Sequence, residues 1–317
     1  MMTKKPIIHL GFSFDSGYVD PFFVLLTSVF YHNSHCQIVV HAIASELAVQ
    51  EKQRLANYII KKGGEVYFYD FDNNLFEGLN MPLSGHLAIP TYYRLFFAQL
   101  LPSSVKRIIY LDIDTLVIGD LLPLFNIANG TYPIAAVSDD WMPARPELGV
   151  TKTGDYFNSG VVLIDLVKWK EKKVTERALD AIRAYPAEVF RFADQDALNL
   201  VLACDWYKLN LGYNLTGVHC PETRDKRVLE LYLADKTVIH FSGPKPWNFL
   251  TKCTHVYKYK WFEYYNLSPV KTMTKYFDVS LSTGFIKKIF HKYLLNAYLN
   301  YPLLGKIKRT VLPNTKV

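Results

Sequence analysis

Apolar runs alternate with longer amphipathic stretches over the first two-thirds of the chain, and that alternation predicts strands followed by helices. Ile7–Phe14 reads as a strand, and Asp15-Ser16-Gly17-Tyr18 as the turn that ends it. Pro21–Phe30 reads as an apolar helix with proline in its first turn, and Gln37–Ile43 as a second strand. Ser45 is a candidate N-cap for a helix running to about Lys62, which Gly63-Gly64 would end. Glu65–Tyr69 predicts a third strand, Thr91–Leu101 a helix and Arg107–Leu111 a fourth strand. Ile134–Val137 and Gly160–Ile164 predict two further strands, Asp194–Ala203 a helix and Val238–Phe241 a late strand. Strands alternating with helices imply an α/β fold, a mostly parallel sheet covered by helices on both faces. Ligands then gather at the carboxyl ends of the strands.

The chemistry-bearing positions fall at such ends. The run Lys106-Arg107-Ile108-Ile109-Tyr110-Leu111 empties into Asp112-Ile113-Asp114. In extended geometry residues two apart share a face, so both carboxylates could meet one divalent cation carrying a diphosphate. A turn with two solvated acids leaves the same pattern. After the late strand comes His240-Phe241-Ser242-Gly243-Pro244-Lys245-Pro246-Trp247, where His240 could add a metal nitrogen and Lys245 a positive charge for phosphate. Mixed oxygen and nitrogen ligation suits Mn²⁺ or Mg²⁺ better than a soft metal. The first strand is followed by no Gly-x-Gly-x-x-Gly, and no Gly-Lys-Ser/Thr phosphate loop occurs, which argues against a dinucleotide oxidoreductase and a P-loop phosphotransferase.

Composition narrows the class. A chain of 317 residues, 50% hydrophobic and 21% charged, can bury a full core as one large α/β domain or two smaller ones. Its four cysteines, Cys36, Cys204, Cys220 and Cys253, are scattered, which suggests reduced and mostly buried thiols rather than a disulfide scaffold or zinc site. The N-terminus lacks the pattern of a signal peptide, and no apolar run reaches the ~18–20 residues of a spanning helix. The expectation is a cytoplasmic protein, soluble or peripheral to a membrane.

The net charge of +7 is uneven: residues 271–317 hold nine Lys/Arg and one acid, Asp278, while the rest of the chain, with 27 basic and 28 acidic residues, is near neutral. We place a catalytic body over residues 1–269 and a basic aromatic tail over residues 270–317. In the tail, Phe285-Ile286-Lys287-Lys288-Ile289-Phe290-His291-Lys292-Tyr293-Leu294 spaces apolar residues near helical period with lysines between them. That is the pattern of a helix lying on an anionic membrane surface, and also of a helix packed on the body with its basic face in water. No nucleic-acid module accompanies the charge, so nucleic acid is not an expected partner.

Six islands, taken together and in order, resemble glycosyltransferase family 8, especially its bacterial lipopolysaccharide hexosyltransferases. They are Phe14-Asp15-Ser16-Gly17-Tyr18, Thr91-Tyr92-Tyr93-Arg94-Leu95, Tyr110-Leu111-Asp112-Ile113-Asp114-Thr115-Leu116-Val117, Tyr156-Phe157-Asn158-Ser159-Gly160-Val161-Val162-Leu163-Ile164, Asp194-Gln195-Asp196-Ala197-Leu198-Asn199, and His240 through Trp247. The resemblance covers about residues 7 to 250. It implies a GT-A nucleotide-diphospho-sugar transferase fold and retaining transfer of galactose or glucose from a UDP-sugar, dependent on Mn²⁺, with Mg²⁺ as an alternative. The implied acceptor is a saccharide, the core of a lipopolysaccharide or lipooligosaccharide or another lipid-linked glycan. The implied location is the cytoplasmic face of the inner membrane.

Residue by residue, Asp112, Asp114 and His240 match the family's metal ligands, and Lys245 the lysine that reaches the phosphates. Asp15 and Tyr18 match residues that hold uracil, and Ile113 joins the nucleotide contacts. This chain has Ser16 where relatives often carry a second acid, and Gly17 where they often carry Asn. Arg94, Asn158, Asp194 and Gln195 match positions that clasp the donor hexose. His86 and Gly243 match positions near the phosphates and acceptor. A covalent route and a front-face route both remain open; in the second, Gln195 with Asp194 stabilises oxocarbenium-like charge while the departing phosphate deprotonates the incoming hydroxyl. The rival functions are a membrane-associated UDP-sugar-binding protein without turnover and a self-glucosylating or polyol-acceptor relative.

Overall fold

The computed structural model describes residues 5–81, 89–248 and 253–272. His86 and residues 273–317 of the tail lie outside them. By internal contacts the chain divides into two units, one of Met1–Gly243 with His255–Lys271 and another of Pro244–Thr254 with Thr272–Val317. The elements that follow belong to the first.

In chain order they begin with β1 (Ile7–Asp15), α1 (Val19–His32), β2 (Gln37–Ser45), α2 (Val49–Lys61) and β3 (Glu65–Tyr69). A 3₁₀ segment, Ile89–Phe96, then runs into α3 (Phe97–Leu100), β4 (Arg107–Leu111), β5 (Thr115–Val117), α4 (Leu122–Phe125) and β6 (Ile134–Ser138). Next are β7 (Phe157–Asp165), α5 (Leu166–Glu171), α6 (Val174–Ala184), α7 (Asp194–Val201), β8 (Tyr207–Lys208) and β9 (Leu215–Thr216). The last are α8 (Lys226–Tyr232), β10 (Val238–His240) and α9 (Lys258–Leu267).

Seven strands form one sheet in the order β3-β2-β1-β4-β7-β6-β8. Every neighbouring pair is parallel except the two that involve β7, which runs against β4 and β6. The sheet is therefore mostly parallel, as its alternation with helices requires. Helices cover both faces. Phe12 and Phe14 of β1 meet Phe22 of α1 at 4.7 and 4.6 Å between ring centroids. A Cβ built on Gly11, which points the other way, would meet Phe97 of α3 and Ile108. A smaller sheet, β5-β10-β9, sets β10 antiparallel to β5 and parallel to β9.

Several sequence expectations need correcting. Ser45 does not cap α2: it extends β2 and pairs with Asp15, while Ala48 stands at the N-cap and Glu51 reaches back to the Ala48 amide. The expected helix over Thr91–Leu101 is mostly 3₁₀, with only Phe97–Leu100 in α form. The strand read as Gly160–Ile164 runs from Phe157 to Asp165 and is antiparallel. The late strand stops at His240 and belongs to the smaller sheet. All four cysteines are free, but Cys204 is exposed and Cys220 half-buried. No helix among the described residues is long and apolar enough to cross a membrane.

Candidate active site

Asp112 and Asp114 do not share a strand face. β4 ends at Leu111 and β5 begins at Thr115, so the two acids occupy a tight turn closed by the Thr115 amide on the Asp112 carbonyl at 3.1 Å. The turn sits at the carboxyl end of a parallel strand, where ligands of such sheets bind. Register then supplies a third group. In the smaller sheet His240 lies opposite Thr115, which sets its Nε2 3.3 Å from Asp114 Oδ1 and 4.0 Å from Asp112 Oδ2. One donor atom from each of Asp112, Asp114 and His240 falls within 4.8 Å of the others.

The donor chemistry fits a hard to borderline divalent cation. Octahedral ligands at ~2.1 Å lie roughly 3.0 Å apart when cis and 4.2 Å when trans, and the two His240 separations fall in that span. Asp112 is prepared to offer a single oxygen, because its Oδ1 already accepts from Arg94 Nη2 at 3.0 Å and Tyr110 Oη at 2.8 Å. Gly160 admits the arrangement: its carbonyl accepts from the Asp112 amide at 2.8 Å, and a Cβ there would stand 2.2 Å from His240 Cε1. A second group of possible ligands, His35, Cys36 and Asp120, fits less well. Burial, with the charge of Asp120, pushes the Cys36 thiol up and favours the protonated form, which does not ligate.

Behind the acids lies a buried cation. Arg94 is 4% exposed and donates to the Ser159 carbonyl at 2.6 Å as well as to Asp112, while its Nε lies 2.6 Å from Asp194 Oδ2. Its guanidinium also stacks over the Tyr110 ring at 4.4 Å. Burial would lower the guanidinium pKa, but Asp112 and Asp194 outweigh it and hold the group firmly charged. Asp194 is fully buried, and burial, offset by Arg94 and reinforced by Asp112, raises its carboxyl above the ordinary range. Arg94 and Asp194 therefore brace the site from beneath.

The 3₁₀ geometry of Ile89–Phe96 explains how Arg94 gets there. At three residues per turn Thr91 and Arg94 align, and Arg94 Nε donates to the Thr91 carbonyl at 3.2 Å. Tyr93 and Phe96 align on another side, where Phe71 and Phe76 pack against them.

A bulge shapes the other wall. Between β6 and β7 the register steps from Ala136↔Val162 to Val137↔Asn158, so residues 159–161 leave the β6 ladder. Their freed amides serve side chains of the site. Ser159 N–H donates to Gln195 Oε1 at 2.9 Å, and Gly160 N–H to Asn158 Oδ1 at 3.0 Å. Gln195, partly exposed at the start of α7, donates in turn to Tyr156 Oη at 3.1 Å, which bonds Asp196 at 2.6 Å. Arg145, from the 139–155 loop, completes that chain with a 3.1 Å contact to Asp196.

The structure thus brings Arg94, Asp112, Asp114, Asn158, Asp194, Gln195 and His240 into one region. Ile113 is buried, leaving its backbone as the group it can offer. Asp15 accepts from Gly17 N–H at 2.8 Å and caps a short 3₁₀ turn that carries the half-buried Tyr18. Gly243 is exposed with φ of +97°, a conformation glycine tolerates. Lys245 belongs to the second unit, where its carbonyl accepts from the Asn248 amide at 3.1 Å.

Contributors that the sequence expectations missed include Tyr110, Arg145, Tyr156, Asn214 and Asp139. Tyr110 was findable, two residues before Asp112. Asn214 was not, because β9 is two residues long and its pairing has no sequence signature. Asp139 follows β6, and its carboxyl is pushed up by burial against an opposing hydrogen bond from Asn158 and the nearby His219 and His240.

The family described as Glycosyl transferase family 8 matches residues 9–251 of the chain. General stress protein A of Bacillus subtilis (strain 168) is 31% identical over 286 residues, 86% of this chain and 98% of that protein. A lipopolysaccharide 1,2-glucosyltransferase of Escherichia coli (strain K12) is 30% identical over 258 residues, 78% of this chain and 75% of that one. Among solved structures, the galactosyltransferase LgtC in complex with donor and acceptor sugar analogs superposes with a TM-score of 0.70 at 24% identity, covering 84% of this chain and 98% of LgtC.

Proposed function

The chain belongs to glycosyltransferase family 8 and has the GT-A fold, and from that premise we propose that it moves galactose or glucose from a UDP-sugar to a saccharide acceptor with retention at the anomeric carbon. The observation that carries this reading is the convergence of Asp112, Asp114 and His240 at the carboxyl end of β4. Those three would hold Mn²⁺, or Mg²⁺ in its place. When bound, the cation supplies Lewis-acid stabilisation of the departing UDP diphosphate.

The chain's own residues do the rest. Arg94, itself held by Asp194, fixes the Asp112 carboxylate so that one oxygen stays directed at the diphosphate side. By the family's pattern we assign Asp15, Tyr18 and the Ile113 backbone to the nucleotide, Lys245 to its phosphates, and His86 and Gly243 to contacts with the phosphates or the acceptor. We assign Arg94, Asn158, Asp194 and Gln195 to the hexose side, with Arg94 and Asp194 acting from behind it as a buried pair. The bond between the anomeric carbon and the diphosphate oxygen breaks, and the acceptor hydroxyl adds to the same face of that carbon. Its proton passes to the departing phosphate oxygen. Gln195, fixed by the Ser159 amide and Tyr156, supplies the amide dipole that stabilises positive charge on the ring. The E. coli relative supports a lipopolysaccharide-type, lipid-linked acceptor. The tail's nine basic residues support attachment to the anionic cytoplasmic face of the inner membrane.

The test is nucleoside diphosphate release by the purified chain with Mn²⁺: UDP from UDP-glucose, UDP-galactose and UDP-GlcNAc, and GDP from GDP-mannose. Mn²⁺-dependent release from one UDP-hexose, lost in Asp112→Ala and Asp114→Ala, is the expected result. Unchanged turnover in those variants overturns the metal assignment. Removing residues 271–317 should leave UDP affinity intact and weaken binding to vesicles containing anionic lipid. Undiminished vesicle binding would refute the membrane role of the tail.

A further inference from the structure

We propose that Asn214 is a positioning residue that fixes the ring of His240 for cation binding and couples that ligand to the hexose side of the site. The proposal rests on the reading that Asp112, Asp114 and His240 hold a divalent cation.

Asn214 is 1% exposed and lies between the 3₁₀ turn Leu211–Tyr213 and β9, whose Thr216 pairs with His240. Its side-chain amide spans two partners: Oδ1 is 2.9 Å from His240 Nδ1, and Nδ2 is 2.9 Å from Asn158 Oδ1. The polarity of this chain is set at its far end by a group with no choice. The Gly160 backbone N–H can only donate, so the Asn158 atom it meets at 3.0 Å is the oxygen. That oxygen requires the Asn214 NH₂ on its other side. The Asn214 oxygen is then left for His240, whose Nδ1 must carry the hydrogen.

The consequence falls on Nε2. With its hydrogen on Nδ1, His240 presents a bare lone pair toward Asp114 and Asp112. The opposite tautomer would aim an N–H at those carboxylates and compete with a cation for them. Partners of this kind, outside the ligand set, orient ligating histidines and typically account for 10–100-fold in metal affinity. The same amide bonds Asn158, so displacement of His240 would be felt on the hexose side.

Two substitutions separate the two bonds. Asn214→Ala removes both. Asn214→Asp keeps an acceptor for His240 Nδ1–H but has no N–H for Asn158 and sets a carboxylate against its oxygen. The experiment titrates the full chain with Mn²⁺ in the absence of nucleotide, reading free Mn²⁺ by its EPR signal, with His240→Ala as reference. Donor KM is measured alongside. Expected is a 10–100-fold weaker Mn²⁺ affinity in Asn214→Ala and an affinity within about threefold of the parent in Asn214→Asp, the latter with a raised donor KM. Parent-like Mn²⁺ affinity in Asn214→Ala, with affinity lost in His240→Ala, overturns the proposal and leaves the metal site standing. So does Asn214→Asp losing Mn²⁺ as fully as His240→Ala, which decides the matter if the alanine variant does not fold. If His240→Ala binds Mn²⁺ like the parent, the reading of the site fails instead.

Discussion

At Gly160 the space a side chain would take is filled by two other residues of the site. A Cβ would stand 2.2 Å from His240 Cε1, 2.8 Å from its Nδ1 and 2.9 Å from Asp112 Oδ2. None of these can yield freely. His240 is pinned between Asn214 and the acids, and Asp112 is held by Arg94 and Tyr110. Gly160→Ala should therefore move the imidazole out of line and cost roughly 100-fold in Mn²⁺-dependent UDP release, as other losses of ligand orientation do. Its stability cost should be the ~1–3 kcal/mol of local overpacking, leaving a cooperative thermal transition. Assaying release and melting on the same preparation checks both. Full activity would mean that His240 can serve from elsewhere.

At the scale of the element, the start of α7 carries strain that its sequence does not advertise. Ala193, fully buried, has φ of +51° and ψ of −126°, a conformation that a side chain normally forbids. Such outliers cost about 1–3 kcal/mol and persist where surrounding packing enforces them. Here the distorted residue immediately precedes Asp194 and Gln195, the pair that meets Arg94 and Ser159. Ala193→Gly should relieve the strain, leaving denaturant stability unchanged or higher, and yet lower kcat several-fold because Gln195 enters the helix less firmly. A loss of stability without loss of kcat would show that the conformation is unstrained and idle. Elements of this kind mark the limit of sequence reading. The apolar run behind α1 and the β-branched run of β4 are long enough to be legible. The 3₁₀ segment holding Arg94 is not, because two buried tyrosines and a buried arginine fit an α-helix pattern equally well. The reversed direction of β7 is also invisible: parallel and antiparallel strands buried on both faces read alike. The two acids were legible as a pair, but what unites them with His240 is the β5–β10 register, a long-range fact.

For the whole molecule, stability should depend on pH through a polar chain inside the main sheet, apart from any catalytic titration. His41 of β2 is 2% exposed, with its Nε2 2.9 Å from His9 Nδ1 and its Nδ1 2.8 Å from Tyr69 Oη. Burial, reinforced by the neighbouring His9, lowers its pKa to about 4. His9 is lowered as well, by burial that outweighs Glu65. Among the described residues, the carboxylate of Glu65 and the phenols of Tyr67 and Tyr69 also stand near the pair. A depressed folded-state pKa means that the unfolded chain takes up the proton first as pH falls. The contribution is complete above the unfolded value of 6.5 and is lost between there and about 4. At pH 5 the loss from His41 is about 2 kcal/mol, a large part of the ~5–15 kcal/mol that holds a domain folded. Urea unfolding from pH 7 to pH 4.5 should show that decline. His41→Asn, which keeps a polar group but does not titrate, should flatten it by about that amount even if it lowers stability at pH 7. An equal slope in parent and variant would place the acid sensitivity elsewhere in the fold.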